Sequence, residues 1–105
     1  MDDVFRALAD ESRRALLDAL FARNCQTLAE LTAGLPMSRQ AVAKHLAILE
    51  AANLVSVVRR GREKLHYLNP VPIGEIVRRW VGKFEDARLD ALNDFKEQIE
   101  EKRRA

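Results

Sequence analysis

The apolar residues in the first part of the chain recur every three or four positions, which is the repeat of an amphipathic helix. The repeat predicts a short first helix over residues 4–9 and a second helix over residues 11–22. Asp10 stands at the N-cap position of the second helix, where its carboxylate accepts a main-chain hydrogen bond. The apolar stripe of this helix, which we expect to be buried, consists of Leu16, Leu17, Leu20 and Phe21.

A polar break separates the second helix from a motif that opens a third. Thr27 and Glu30 have the T-x-x-E spacing of a capping box, and Gly34 and Pro36 are typical of a helix end. Ser38 then stands at the N-cap position of a fourth helix. The third and fourth helices, with the short turn between them, have the order of a helix-turn-helix.

The repeat of apolar positions changes after the fourth helix. Residues 54–60 and 64–68 are rich in Val, Leu and Tyr, and Gly61 stands between them, where a tight turn uses a positive φ. This pattern predicts a two-stranded hairpin. After an interruption at Pro70 and Pro72, a helical repeat returns over residues 73–104, long enough for a helix of about 45–50 Å.

The alternation along the second strand predicts which of its side chains face the core. Leu65 and Tyr67 are large and apolar in character, whereas Lys64 and His66 are polar. We therefore expect Leu65 and Tyr67 to anchor the hairpin on the core and His66 to be exposed to solvent.

The order of the elements predicts a winged helix-turn-helix, a mainly α fold with a small β-hairpin (α-α-α-α-β-β-α) that acts as a dimer. Such a module places one helix in the DNA major groove. We predict a single domain over residues 1–105. Within it we assign the helix-turn-helix to residues 27–51, the wing to residues 54–68 and a C-terminal dimerisation helix to residues 73–104.

The fourth helix has one apolar and one polar face. A helix turns about 100° per residue, so Val42, Leu46 and Leu49 share the stripe that we expect to pack inward. Gln40 and Lys44 project from the opposite face. A glutamine side chain suits the edge of adenine, and a lysine suits guanine or phosphate. The pattern favours base reading over an ordinary solvated helix face.

Further polar residues surround this face. We expect Arg39 to reach a base edge or a phosphate. We expect His45 to be half-buried, with either a structural role or a hydrogen bond to a phosphate. The arginine-rich hairpin tip favours a wing that follows the phosphate backbone or probes the minor groove, although a charged strand edge also blocks aggregation. The predicted DNA-binding residues are Ser38, Arg39, Gln40, Lys44, His45, Arg59, Arg60, Arg62 and Lys64.

The distribution of charge agrees with DNA binding. The net charge of the chain is only +2, but residues 37–68 hold six cations against two carboxylates, a net charge of +4. Residues 1–36 carry a net −2 and residues 69–105 are neutral. A positive excess confined to the predicted DNA-reading segment is what binding to a polyphosphate requires.

Other classes of protein are disfavoured. The single cysteine allows no internal disulfide, and no apolar run has the length of a membrane span, so we expect a cytoplasmic protein without membrane contact. The sequence contains no glycine-rich phosphate loop and no nucleophile with a base at motif spacing, so we do not expect an enzyme.

Apolar residues at both ends of the chain exceed what a core of this size covers, which predicts a homodimer. Trp80 and Phe84 have an alternative role as ordinary core residues of one chain. The predicted interface residues are Val4, Phe5, Leu8, Trp80, Phe84, Leu92, Phe95 and Ile99.

The sequence resembles the ArsR/SmtB family of bacterial repressors over nearly its whole length. The segments that carry the resemblance are FRALAD–SRRALLDAL, TLAEL, MSRQAVAKHLAILEAANLV and RRGREKLHYLN. The resemblance implies a homodimer that joins through its first and last helices and binds a near-palindromic operator in double-stranded DNA. The two recognition helices would then enter successive major grooves, with half-sites roughly 34–36 Å apart.

The metal-sensing property of that family is not carried over. Its best-known members bind metals through paired cysteines near the recognition helix or through Asp and His on the last helix. This chain has no cysteine after Cys25 and no histidine after His66, and a metal site needs three or four converging ligands. We expect no metal and no cofactor, and the resemblance identifies no small-molecule effector.

Two other binding functions remain open at this point. A winged helix with a basic face also suits an acidic protein partner, and salt-dependent, sequence-selective DNA binding distinguishes the two. RNA binding is a weaker alternative because the hairpin lacks stacking aromatic residues. Repression by occupancy of a promoter is the predicted mechanism.

Overall fold

The computed structural model describes residues 1–104 and confirms a mainly helical fold with an antiparallel hairpin. The chain divides into two compact units, of which the first is Met1–Pro72 and the second begins at Ile73. The elements are α1 Asp2–Leu8, α2 Glu11–Ala22, α3 Leu28–Ala33, α4 Arg39–Ala51, β1 Val55–Arg60, β2 Glu63–Leu68, α5 Val71–Ile76, a π-helical segment Val77–Gly82 and α6 Lys83–Arg104.

The helix caps form as the sequence predicts. The Asp10 carboxylate accepts a hydrogen bond from the main-chain nitrogen of Arg13 at 3.1 Å. The Thr27 hydroxyl accepts from the main-chain nitrogen of Glu30 at 3.2 Å, and the Glu30 carboxylate accepts from that of Thr27 at 3.1 Å. This reciprocal capping box satisfies two donors at the start of α3. Gly34 ends α3 as expected.

The core of the first unit is built from α1, α2, α3, α4 and β1, together with Leu54 just before β1. Its largest fully buried side chains are Leu16, Leu20, Leu31, Val42, Leu49, Leu54 and Val55. The prediction for Phe21 was wrong, because its side chain is 82% exposed although it shares helical spacing with buried Leu17. Spacing defines a helix face, but burial in the last turn of α2 depends on whether another element covers it.

The hairpin pairs β1 with β2 in antiparallel register, from Val55 opposite Leu68 to Arg60 opposite Glu63. A two-residue turn joins the strands, and Gly61, its first residue, has a φ of 63°. This is the position at which a type II′ hairpin turn uses glycine. The prediction of a turn with a positive φ at Gly61 is confirmed.

The prediction for the inward face of β2 was wrong. His66 is 6% exposed and lies opposite Val57, whereas Leu65 and Tyr67 are only half-buried on the other face. A strand has a period of two, so an error of one position exchanges its faces. The side chain of His66 is accommodated because its polar Nδ1 lies 2.9 Å from the main-chain oxygen of Gln26.

The loop between α2 and α3 runs antiparallel to β2 and holds the base of the hairpin. Hydrogen bonds join Asn24 with Leu68, Cys25 with Tyr67 and Gln26 with His66. The last pair is a two-way main-chain bridge, with N–O distances of 3.1 and 2.8 Å. The hydrogen bond with Cys25 raises the pKa of the Tyr67 hydroxyl. The polar break of the sequence is therefore a structural support for the hairpin.

The helical region after the hairpin begins earlier than predicted, at Val71 instead of Ile73. Pro72 lies inside the first turn of α5, where a helix needs no main-chain N–H, so it does not interrupt the helix as expected. The π-helical segment was not predicted. None of the helices within residues 1–104 is long and apolar enough to cross a membrane.

Candidate nucleic-acid interface

The fourth helix, α4, is held in place by its cap and its apolar face. The Ser38 hydroxyl accepts a hydrogen bond from the main-chain nitrogen of Ala41 at 3.1 Å. Val42, Leu46 and Leu49 are buried, with exposures of 0, 4 and 0%. The inward stripe predicted from helical spacing is therefore confirmed. Its burial fixes which side of α4 faces away from the core.

A left-handed residue ends α4. Asn53 has a φ of 61°, the conformation in which asparagine is tolerated after a helix. The main-chain nitrogen of Leu54 donates to the oxygen of Leu49 at 2.9 Å, and that of Asn53 donates to Glu50 at 3.0 Å. This Schellman arrangement stops the helix and turns the chain into β1.

The outward face of α4 is polar and small. Arg39, Gln40, Lys44 and Ala47 are all exposed, together with the capping residue Ser38. The structure thus brings the helix residues predicted to contact DNA to one open surface. Alanine at position 47 leaves room for the helix to approach a ligand closely. The DNA contacts themselves stay a prediction.

The predicted wing cations surround the tip of the hairpin, where Arg59, Arg60, Arg62 and Lys64 are exposed. The strand register places Arg59 directly opposite Lys64 and Arg60 opposite Glu63. Like charges that face each other across a strand pair are unfavourable. A bound anion between Arg59 and Lys64 would relieve that repulsion, which favours a phosphate-binding function for this part of the wing.

A groove of about 420 Å³ separates α4 from the wing. Its lining includes the apolar residues Leu28 and Leu46 as well as charged residues. The charged residues that line it are Arg39 and Glu50 from α4 and Arg62, Glu63 and Lys64 from the wing. Predicted DNA-binding cations of α4 and of the wing thus line the same groove.

The comparisons with known proteins agree with this geometry. Residues 8–58 match the model of a helix-turn-helix domain family. The chain is 41% identical over 86 residues to an uncharacterized HTH-type transcriptional regulator, YuzN, of Bacillus subtilis, covering 76% of this chain and 94% of that protein. It is 29% identical over 84 residues to the transcriptional repressor SdpR of the same organism, covering 80% and 91%.

A solved structure extends the likeness beyond the matched domain. The ArsR-like transcriptional regulator from Rhodococcus sp. RHA1 superposes with a TM-score of 0.71 at 37% identity, covering 92% of this chain and 90% of that one. The chain belongs to the ArsR family of helix-turn-helix transcriptional regulators. It is accordingly a DNA-binding regulator of transcription with a winged helix-turn-helix fold.

In this ArsR-family chain, Arg13 of α2 contacts α4, a contact that the sequence analysis did not predict. His45 is half-buried, as expected, and its Nδ1 lies 3.5 Å from Nη1 of Arg13 in α2. A signal for Arg13 was present in the sequence. Arg13 and Arg14 occupy the first turn of a helix, where the helix dipole disfavours cations, and such a conflict indicates a tertiary partner.

The predicted dimer residues fall into two groups. Val4 is 8% exposed and packs within the first unit, so the expectation that it needs a partner surface for burial was wrong. Phe5 is 42% exposed and Leu8 is half-buried. The predicted interface residues in the helical region are all exposed: Trp80, Phe84, Leu92, Phe95 and Ile99. The Arg79 guanidinium lies 5.3 Å from the centre of the Trp80 ring.

The soft and imidazole side chains of the chain are engaged separately. Cys25 contacts the Tyr67 hydroxyl, His45 contacts Arg13, and Nδ1 of His66 contacts a main-chain oxygen. Within residues 1–104, no three His, Cys, Asp or Glu side chains converge in a way that would hold a metal ion.

Proposed function

We propose that this ArsR-family regulator is a homodimeric repressor that occupies a near-palindromic operator and thereby excludes RNA polymerase from a promoter. Residues 1–105 act as one winged helix-turn-helix domain in this proposal, with residues 73–104 as the dimerisation helix. The cytoplasm, where operator DNA is found in bacteria, is the proposed location.

The observation that carries the proposal is the exposed polar face of α4. Its apolar stripe is buried, so Arg39, Gln40 and Lys44 point away from the core on a helix of 13 residues. We assign Gln40 to an adenine edge and Lys44 to guanine or phosphate, because these side chains present matching donors and acceptors. Arg39 contacts a base edge or a phosphate beside them.

The backbone contacts are assigned to three other groups. Ser38 caps α4, whose first main-chain N–H groups suit a phosphate oxygen. The wing residues Arg59, Arg60, Arg62 and Lys64 follow the phosphate backbone or enter the minor groove, and His45 donates to a phosphate. Contacts of this kind position a protein on DNA, whereas the α4 side chains select the sequence.

The exposed apolar residues of the helical region support a homodimer. Phe84, Leu92 and Phe95 are 64, 56 and 62% exposed in the single chain, and large contiguous apolar surfaces of this kind usually mark an interface. Two-fold symmetry would set the operator half-sites roughly 34–36 Å apart, which is about one turn of B-DNA.

Fluorescence anisotropy tests the proposal. The full chain is titrated into labelled duplex from upstream of its own gene and into a scrambled duplex, each at two salt concentrations. We expect tight binding to the first duplex that weakens as salt rises, because bound phosphates release counterions. Equal weak binding to both duplexes would contradict autoregulation. Absence of binding at low salt would favour the acidic protein partner instead.

A further inference from the structure

One arginine side chain connects three elements of the first unit. The Arg13 side chain is 15% exposed, and its Nε and Nη2 donate hydrogen bonds to the main-chain oxygens of Ala7 at 2.9 Å and Arg6 at 3.0 Å. Its Nη1 lies 3.5 Å from Nδ1 of His45 and 3.8 Å from the Asp10 carboxylate. The guanidinium thus joins the end of α1, the cap of α2 and the middle of α4.

The contacts with α1 explain why two arginines occupy the start of α2. The last carbonyl groups of a helix have no partner within the helix, and arginine side chains satisfy them. Arg13 bonds the carbonyls of Ala7 and Arg6, of which that of Arg6 also accepts from the main-chain N–H of Ala9, and Arg14 bonds that of Leu8 at 2.8 Å. Arg14 is exposed and the structure gives its side chain no bond to α4 among the described residues. Only Arg13 therefore continues from α1 to His45.

The contact with Arg13 favours one tautomer of His45. A guanidinium has donors and no acceptor, so Nδ1 of His45 accepts in this contact, which favours the neutral form with its ring proton on Nε2. His66 shows the opposite arrangement. Its Nδ1 faces a main-chain oxygen, which only accepts, so Nδ1 of His66 carries the proton. The chain has just these two histidines, and their contacts favour opposite tautomers.

We infer that Arg13 is a positioning residue of the DNA interface: it holds His45 and α4 in their binding orientation without contacting DNA itself. The inference concerns the same interface as the proposed function and rests on it for the effect on DNA. In the tautomer that this contact favours, Nε2–H of His45 is left as a donor for a phosphate oxygen. Since the same guanidinium holds the end of α1, Arg13 adds a polar link between α1 and the recognition helix α4, which also contact each other directly.

The first test reads the histidine rings directly and needs no DNA. Nitrogen NMR of both imidazoles is recorded at about pH 8, above the ordinary pKa of a free histidine side chain, for the wild type, Arg13→Gln and Arg14→Gln. We expect an unprotonated Nδ1 at His45 in the wild type and in Arg14→Gln, and a mixture of tautomers in Arg13→Gln. His66 should keep its protonated Nδ1 in all three proteins and serves as the internal reference.

The second test measures operator affinity over a range of salt. Arg13→Gln should weaken binding about tenfold, whereas the matched variant Arg14→Gln should change it less than about twofold. The slope of log affinity against log salt should be the same in both variants as in the wild type. Loss of a direct phosphate contact would instead lower this slope by about 0.9. In a His45→Ala background, Arg13→Gln should have less than about a twofold effect, since the two side chains act through each other.

Several results would overturn the inference. An unchanged His45 tautomer in Arg13→Gln would remove the structural link, whatever the affinity. Equal losses of affinity in Arg13→Gln and Arg14→Gln would show that the loss comes from the released end of α1 and not from the contact with His45. If Arg13→Gln does not fold, Arg13→Lys takes its place, because one ammonium group cannot satisfy all these acceptors in the guanidinium geometry. If the wild type binds no DNA, the proposed function fails while the NMR result still decides the role of Arg13.

Discussion

His66 and Gln26 are joined at both the main chain and the side chain. The Nδ1 atom of His66 lies 2.9 Å from the Gln26 oxygen, which also accepts the main-chain N–H of His66 at 2.8 Å. The Gln26 side chain in turn donates to the main-chain oxygens of Ala19 and Arg23 at 3.1 and 2.6 Å. Two buried polar residues thus tie the wing to the end of α2 with all their contacts satisfied.

Replacing His66 should loosen this connection. His66→Leu keeps an apolar volume in the core but removes the Nδ1 donor, and we expect the free energy of unfolding to fall by about 1–2 kcal/mol. Tyr67→Phe is the matched control because it removes a hydroxyl on the half-buried face, and its effect should stay below about 0.5 kcal/mol. Urea denaturation measures both. Equal effects would contradict the inward position of His66.

Gln40→Ala should relax the DNA sequence preference at one position. If Gln40 reads an adenine, Gln40→Ala should weaken the free energy of binding to the cognate operator by about 1–3 kcal/mol. It should weaken binding much less when the operator already carries a different base pair at that position. Anisotropy with a set of single-base operator variants measures this. Gln98→Ala, an exposed glutamine of α6, is the control and should leave all affinities unchanged. A uniform loss over all sequences would argue against base reading.

Arg60→Ala should weaken DNA binding broadly and reduce its dependence on salt. One lost phosphate contact lowers the slope of log affinity against log salt by about one unit. Lys83→Ala removes the same charge from an exposed position on α6 that lies away from the stripe of Phe84, Leu92 and Phe95, and it should leave the slope almost unchanged. Titration at four salt concentrations distinguishes them. A slope unaffected by Arg60→Ala would exclude this residue from the phosphate contacts.

Phe95→Ser should shift the protein from dimer to monomer. Phe95 is 62% exposed in the single chain, and its ring needs a partner surface if residues 73–104 form the interface. Phe21→Ser is the control, because Phe21 is 82% exposed but lies on α2, outside the proposed interface. Sedimentation equilibrium gives the mass of each variant. A dimeric Phe95→Ser protein, or a monomeric wild type, would contradict the assignment.

Acid should weaken the caps of α2 and α3. The hydrogen bond from the Arg13 main-chain N–H lowers the pKa of Asp10, and that from Thr27 lowers the pKa of Glu30, from ordinary values of 3.8 and 4.5. A carboxylate with a lowered folded-state pKa stabilises the fold above its unfolded-state pKa, and this contribution is lost as pH falls through the folded-state pKa. Stability should therefore decline below about pH 4.5.

The Glu30→Gln variant isolates one part of this pH dependence. Glutamine keeps an acceptor for the capping box but does not titrate, so the variant should lose less stability than the wild type between neutral pH and about pH 3. Urea denaturation at both pH values provides the comparison. Identical losses in the two proteins would show that Glu30 is not a source of the acid sensitivity.

Local patterns in the sequence were sufficient for the order of the elements from α1 to β2 and for the exposed face of α4, but not for the π-helical segment. The Thr27–Glu30 box, the Ser38 cap and the positive φ of Gly61 depend on residues within a few positions of one another. Helical periodicity likewise determined that Gln40 and Lys44 lie opposite the buried stripe, because rotation per residue is a property of the helix alone.

Only the tertiary structure decided which helix and strand faces are covered by another element. Phe21 has the spacing of a core residue but stays exposed, and His66 is buried because the Gln26 oxygen meets its ring from 40 positions away in the chain. Arg13 reaches His45 across 32 positions. Burial and hydrogen bonding of these side chains are set by elements that are distant in sequence, so spacing alone could define the faces but not what covers them.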